Sequence, residues 1–182
     1  QHLILERGLE GEIDPKVLSE GQVHLTIRSW LLRKNGRVIL IDGCVGNHKN
    51  RQQWPSWHLR SDNGWLKNML ELGVKPEDVD LVFCTHLHAD HVGWNTKLEN
   101  GIWVPTFPNA NYLTGRLEYE HWLHDSLEGD RHGSFADSIA PVVEAGQMKF
   151  LEDGMELAQG VSVELAPGHT PGQLMLNAKA SE

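Results

Sequence analysis

Thr85-His86-Leu87-His88-Ala89-Asp90-His91-Val92-Gly93 decides how the rest of this chain is read. It follows an apolar run, Leu81-Val82-Phe83-Cys84, that reads as the end of a buried strand. Three imidazoles and one carboxylate are ligands of the kind that Zn²⁺ and similar metals take. His86 and His88 are two residues apart, so on an extended segment they point the same way. Asp90 and His91 follow where the chain must turn, which aims them at a second point close by. The order His-x-His-x-Asp-His therefore suits two adjacent cations, each receiving part of the set. Without a cation, four ionisable groups beside an apolar strand end would be costly to desolvate.

A second signal lies far downstream, at Ala166-Pro167-Gly168-His169-Thr170-Pro171-Gly172. It follows another alternating run, Val161-Ser162-Val163-Glu164-Leu165. Glycine supplies unusual backbone angles and proline fixes φ, so this turn holds its imidazole rigidly. That rigidity is useful if His169 completes a coordination sphere begun at His86 and His88.

The two motifs together resemble those of the metallo-β-lactamase-fold hydrolase superfamily. Val38-Ile39-Leu40-Ile41-Asp42-Gly43-Cys44 agrees, being similar to that family's first motif, an apolar strand ending in Asp. The order of elements from about Gln22 to Leu176 follows the family. Thr85 through Asn95, with Trp94 after Gly93, is most similar to the lactonase and methyl-parathion-hydrolase-like branch. The resemblance implies an αββα sandwich of the α/β class. It implies His86, His88 and His169 on a first metal and Asp90 and His91 on a second. Members usually add a metal-bridging Asp and a final His after the second turn. Only Gln173 to Glu182 follow here, and the chain opens on Gln1. The expectation is therefore a truncated chain, residues 1–182 forming one partial domain whose second half is incomplete.

The chemistry follows from the ligands. Three imidazoles leave an open position, as in catalytic zinc sites, and a water there ionises near neutral pH. With a second cation about 3.5–4 Å away, a metal-bound hydroxide can attack an ester, lactone, thioester or phosphoester while the other metal steadies the oxyanion. Asp90 is expected as a ligand that also relays a proton, with a helix N-cap as its alternative role. Asp42 is expected behind the ligands, accepting the spare N–H of one imidazole, with a strand-end turn as the alternative. Thr85 and Thr170 are expected to hydrogen-bond neighbouring ligands. One or two zinc ions are the default; Fe, Mn or Co fit the same donors. The reaction expected is hydrolysis of a lactone or carboxylic ester. A phosphotriesterase-like or glyoxalase II-like thioesterase activity is the alternative, and a metal-binding but inactive fragment is the alternative of another class.

Composition narrows this further. A chain of 182 residues is one domain by length and can bury a real core. Lys+Arg of 16 against Asp+Glu of 25 gives a net charge of −9, which disfavours a grip on nucleic acid. No apolar run is long enough to span a bilayer, and no secretory signal opens the sequence. The partner expected is a small-molecule substrate, with no nucleic acid or membrane, and the location expected is the cytoplasm. Two cysteines, Cys44 and Cys84, each end a strand; a disulfide is conceivable, and free thiols are the simpler reading.

Along the chain, Leu3-Ile4-Leu5 is a short apolar piece and Val23–Leu32 alternates like a strand. Asn35-Gly36 signals a hairpin into Arg37–Asp42. Gly43–Ser61 is a long aperiodic segment, functional or disordered. Its Trp54, Trp57 and His58, with Trp94, are candidates to wall an apolar pocket; His48 is ambiguous. A helix is expected from an Asp62 cap to Leu72, with Trp65, Leu66, Met69, Leu70 and Leu72 as its apolar face. Val79–Thr85 is the strand before the metal motif. Gly101–Val104 and Ala110–Thr114 read as strands, Gly115–Leu127 as a helix, and Ser134–Glu144 as a helix capped by Ser134. His121, His124 and His132 fall in charged surroundings and read as exposed. Gln147–Leu151, Met155–Ala158, Val161–Ala166 and Gln173–Asn177 complete the strands. An incomplete sandwich leaves apolar surface uncovered, so homo-oligomerisation or poor solubility is expected.

Overall fold

A computed structural model describes residues 18–19, 22–23 and 26–179. Leu3-Ile4-Leu5 lies outside these residues, as do positions 24–25 of the expected strand at 23–32. Two short strands, β1 (Leu18–Ser19) and β2 (Gln22–Val23), pair antiparallel. The hairpin that follows joins β3 (Trp30–Lys34) to β4 (Arg37–Ile41). Its turn residues Asn35 and Gly36 have φ of 52° and 74°, the left-handed pair that a tight hairpin turn requires. The strand thus starts later than its alternation suggested.

Helix α1 (Gly64–Glu71) begins two residues after Asp62, whose carboxylate accepts from the Gly64 N–H at 3.3 Å. Met69 is buried and Trp65 and Leu66 pack beside it. Leu70 and Leu72, expected on the same face, are 52% and 61% exposed, since Leu72 already lies past the last turn. Strand β5 (Leu81–Phe83) leads into α2 (Ala89–Val92). A hairpin of β6 (Thr96–Glu99) and β7 (Ile102–Pro105) comes next, turning at Asn100-Gly101; its first strand is absent from the sequence expectation. Then come β8 (Asn111–Gly115) and α3 (Arg116–Leu127).

The expected helix from Ser134 to Glu144 is two pieces. Phe135–Ile139 forms a wide π-helical turn, and α4 (Ala140–Glu144) continues from it. Ser134 caps neither; its hydroxyl donates to the Leu87 carbonyl at 3.1 Å. Pro141 has no N–H to return to Asp137, so that carbonyl is free for other donors. Lys49 Nζ (2.9 Å) and the Thr96 hydroxyl take it. The chain ends in β9 (Met148–Leu151), β10 (Glu156–Ala158), β11 (Val161–Leu165) and β12 (Leu174–Ala178).

The strands make two layers. The larger sheet runs β3-β4-β5-β8-β9, antiparallel at the β3–β4 hairpin and parallel thereafter. The smaller sheet is the antiparallel meander β10-β11-β12. Side chains alternate across the larger sheet. Leu40, Val82 and Tyr112 face α1, α3 and the 135–144 helical pair, and they form one core with Met69, Phe135, Ile139 and Val142. Ile39, Leu81, Phe83 and Leu113 face the other way, against Leu157, Val161, Val163 and Leu174 of the smaller sheet. Burial on both faces explains why β4 and β5 read as nearly unbroken apolar runs. The layers are therefore helix, sheet, sheet: an α/β sandwich. Among the described residues, every described helix that contributes buried side chains does so on the larger sheet.

Candidate metal centre

In open parallel sheets, ligands gather beyond the carboxyl ends of the strands. Here Asp42 follows β4 and Thr85-His86 follows β5 by two residues. The turn bearing His169 leaves β11 at the same edge of the sandwich. Two backbone bonds lock it there: Leu174 N–H to the Thr85 carbonyl (2.9 Å), and Ala166 N–H to the Gln173 carbonyl (2.8 Å). The far end of the motif is held by close backbone crossing. Gly93 donates to the Cys44 carbonyl at 2.7 Å, and a Cβ on Gly93 would stand 2.0 Å from the Val45 carbonyl carbon. Only glycine fits that crossing.

His86, His88 and His169 converge. One ring nitrogen from each lies within 4.8 Å of the others. Ring centroids are 4.8 Å apart for His86–His88 and His86–His169, and 4.7 Å for His88–His169. His86 is buried, His88 half-buried, and His169 exposed on its turn. Among the described residues, no carboxylate is hydrogen-bonded or ion-paired to any of these three rings; the neighbouring His91 takes Asp42 and Asp90.

Asp42 organises this group from behind. Its carboxylate accepts from the Thr85 N–H (2.9 Å) and the Thr85 hydroxyl (3.0 Å), and from His91 Nδ1 (2.9 Å). Thr85 Oγ1 also lies 3.1 Å from His86 Nδ1. With its own proton committed to Asp42, the hydroxyl accepts there, so His86 Nδ1 carries a proton and Nε2 keeps its lone pair. That Nε2 is buried and has no hydrogen-bond partner. An orphaned buried lone pair among three imidazoles is the donor set a borderline cation takes. Asp42 itself has φ of 58°, a left-handed conformation that Asp tolerates better than most residues.

Titration behaviour agrees with this. Burial, then the charges of His91, His88 and His169, push the His86 imidazole far below its ordinary value. Burial, then His132 and His169, push His88 down to about 3. Both rings are therefore neutral, the form that binds metal. His91 goes the other way. Burial alone would lower it, but the hydrogen bond and charge of Asp42, with the charge of Asp90, outweigh that and raise it.

Asp90 and His91 sit one step outside the trio. His91 and His86 ring centroids are 3.9 Å apart, and His91 Nε2 lies 3.6 Å from Asp90 Oδ2. Asp90 lies in the first turn of α2, where the cap position is His88, so the N-cap role does not hold. Thr170 is also placed differently from expectation: its hydroxyl is buried and bonds to none of the ligands.

His132 is the correction with most bearing on the site. Expected at the surface, it stacks on His88 with centroids 4.1 Å apart and an interplanar angle of 11°. Its Nδ1 accepts from the Ala89 N–H at 3.0 Å, and Trp54 and Trp122 pack at 5.0 and 5.3 Å. No spacing in the sequence ties residue 132 to residue 88; the 116–135 region must fold back first. His48, His121 and His124 are exposed. The two thiols, Cys44 and Cys84, are free and buried.

The 43–61 segment is ordered, held by buried charge. Arg51 makes two 2.8 Å bonds to the Asp137 carboxylate, and Lys49 Nζ lies 3.7 Å from it and 3.6 Å from the Trp103 ring centre. Burial pushes the Lys49 amine down to about 7 against the pull of Asp137. A cavity of about 390 Å³ beside this segment is lined by Trp57 and Trp94, with Trp65 and Cys44. Trp54 and His58, expected in the same wall, are elsewhere. Trp54 packs on His132, and His58 Nδ1 accepts from the Arg51 N–H at 3.0 Å.

Comparison with known proteins adds four matches. A profile described as the metallo-beta-lactamase superfamily matches residues 25–178. The N-acyl homoserine lactonase AiiA of Bacillus thuringiensis subsp. kurstaki is 30% identical over 112 residues, which are 61% of this chain and 38% of that protein. The chain thus spans well under half the length of the curated relatives it matches first. Among solved structures, the hydrolase AbOPH of the beta lactamase superfamily superposes with a TM-score of 0.69 at 27% identity, over 91% of this chain and 56% of that one. AidC, a dizinc quorum-quenching lactonase in complex with a product, superposes with a TM-score of 0.62 at 23% identity, over 85% and 53%, which speaks to the fold.

Proposed function

The chain belongs to the metallo-beta-lactamase superfamily, and from that premise we propose that it carries the cation-binding core of a metal-dependent hydrolase acting on a lactone or carboxylic ester. The observation that carries this reading is the meeting of His86, His88 and His169 from two distant segments, with a buried lone pair on His86 Nε2. Zinc is the first choice for a set of three imidazoles. Asp90 and His91 stand beside the trio as donors for a second cation. When bound, the cation supplies Lewis acidity and a water acidic enough to react near neutral pH.

The chain's own groups do the rest. Asp42 and Thr85 hold His86 with Nε2 turned to the centre, and Asp42 fixes the ring of His91. Fixed donors of this kind raise affinity because little is lost in ordering them. Asp90, half-buried beside His91, is the group assigned in this reading to take a proton from an attacking water or give one to a leaving alcohol. Trp122 and His132 flank His88, with Trp54 packed on His132, and they keep bulk water from one side of the centre. An N-acyl homoserine lactone is the first substrate to try, because the similar curated protein is a lactonase.

A second reading is favoured by one fact: the match covers 38% of the relative's length. Under it the chain binds the cation and lacks turnover. The test is zinc content by elemental analysis, with a panel of an acyl homoserine lactone, an aryl ester, a phosphotriester and a glutathione thioester. Lactone or ester turnover that is lost to a chelator and restored by zinc sustains the hydrolase reading. Zinc without turnover of any of the four leaves the metal-holding reading. A chain that takes up no zinc overturns both.

A further inference from the structure

We propose that Glu118 is a positioning residue of the metal centre, whose one carboxylate ties the loop of His86 and His88 to the turn of His169. It rests on the metal-binding reading above. Glu118 lies in the first turn of α3 and is fully buried. Oε1 accepts from the Leu87 N–H (3.0 Å), the residue between the two motif histidines, and from Trp122 Nε1 (2.6 Å). Oε2 accepts from the Gly172 N–H (3.1 Å), three residues after His169. The two ligand-bearing segments thus meet on opposite oxygens of one side chain.

The surroundings make that bridge stiff. A Cβ on Gly172 would stand 2.0 Å from the Glu118 backbone nitrogen, so the 169 turn lies directly against the start of α3. The Leu87 carbonyl is held separately by the Ser134 hydroxyl at 3.1 Å. The Trp122 ring, fixed by its bond to Oε1, packs 5.0 Å from the His88 ring. All three partners of Glu118 are N–H donors, and only a carboxylate offers acceptors at both ends. In Glu118→Gln the side-chain amide must turn its NH₂ toward one of them, donor against donor. One segment then comes loose while volume and shape are kept.

A role in packing alone would lower the stability of the metal-free protein and leave the zinc affinity of folded molecules unchanged. Positioning predicts a change in that affinity. Partners outside the ligand shell typically contribute about 10–100-fold in metal affinity. Zinc Kd is measured by competition with a chromophoric chelator, on wild type and Glu118→Gln, both checked for folding by circular dichroism. A loss of about tenfold or more is expected, and a folded variant within twofold of wild type overturns the proposal. Amide hydrogen exchange on metal-free wild type gives a second measurement that needs no variant. Leu87 and Gly172 are both expected to be protected, and free exchange at either one overturns the bridge even where Glu118→Gln fails to fold. A wild type that binds no zinc breaks the metal reading itself, whereas zinc binding indifferent to Glu118 breaks only this inference.

Discussion

Two clusters of polar side chains, each with buried members, are built on opposite rules. At Lys49, Arg51 and Asp137, charge is cancelled within the chain: two cations share one carboxylate and a proline-freed carbonyl. At His86, His88 and His169, groups of one kind are gathered with no opposite partner, and a buried nitrogen points at nothing. Desolvating polar groups is costly, so the first arrangement is what stability alone produces. The second is costly as it stands and becomes favourable once something positive arrives. Buried polarity on its own therefore does not mark a functional site. What marks a candidate site is a buried, unpartnered nitrogen gathered with two further imidazoles.

The sharpest way to break that contrast is to remove one member of each group. His169→Ala takes away a ligand from an exposed turn, so folding should be nearly untouched. Zinc affinity should fall by more than about 100-fold, beyond what outer partners contribute. Isothermal titration measures it, and an unchanged Kd removes His169 from the centre. Asp137→Ala should do the reverse. It strands Arg51, which cannot shed its proton, whereas Lys49, already near neutrality at about 7, can. Breaking such a pair costs about 3–5 kcal/mol, a drop in Tm of roughly 6–20 °C for a chain of this size. Zinc affinity per folded molecule should stay the same. A parallel loss of zinc would mean that the two clusters are one unit.

The smallest effect concerns pH. Folded His88 titrates near about 3, and His86 and His132 are also pushed down, chiefly by burial. Unfolded imidazoles titrate near about 6.5. Their contribution to stability is therefore present above that value and is lost as pH falls, because the unfolded chain takes up protons first. His91 is raised and has the opposite sign, favouring the folded state below the unfolded value and losing that as pH rises. Three lowered groups against one raised give a net loss on acidification. Metal-free protein should melt about 3 °C or more lower at pH 5 than at pH 7, measured by calorimetry. A flat profile would show that the imidazoles are not buried neutral.

How much of this was legible beforehand differs by element. β4 and β5 were readable because burial on both faces writes an unbroken apolar run, and α3 because its length leaves little choice. The π-helical turn at 135–139 was not, since Ser134 followed by helix formers reads as an ordinary start. Only the carbonyl left free by Pro141, and the Lys49 that reaches it, give that turn a reason. Leu72 falls outside because helical periodicity does not say where the helix stops, whereas Leu70, inside α1, turns off the face that buries Met69.

The amino-acid order by itself pointed to His86, His88 and His169 as candidate cation donors, and to the family that the profile match shows. Ligand chemistry is local, fixed by residue type and by spacing along a strand and its turn. What lies around those groups came only from the folded chain. Glu118 bridging two loops, His132 stacked on His88, and Lys49 and Arg51 meeting Asp137 are pairings across long stretches of sequence. Such pairings depend on how layers pack, and packing leaves no periodic mark on either partner.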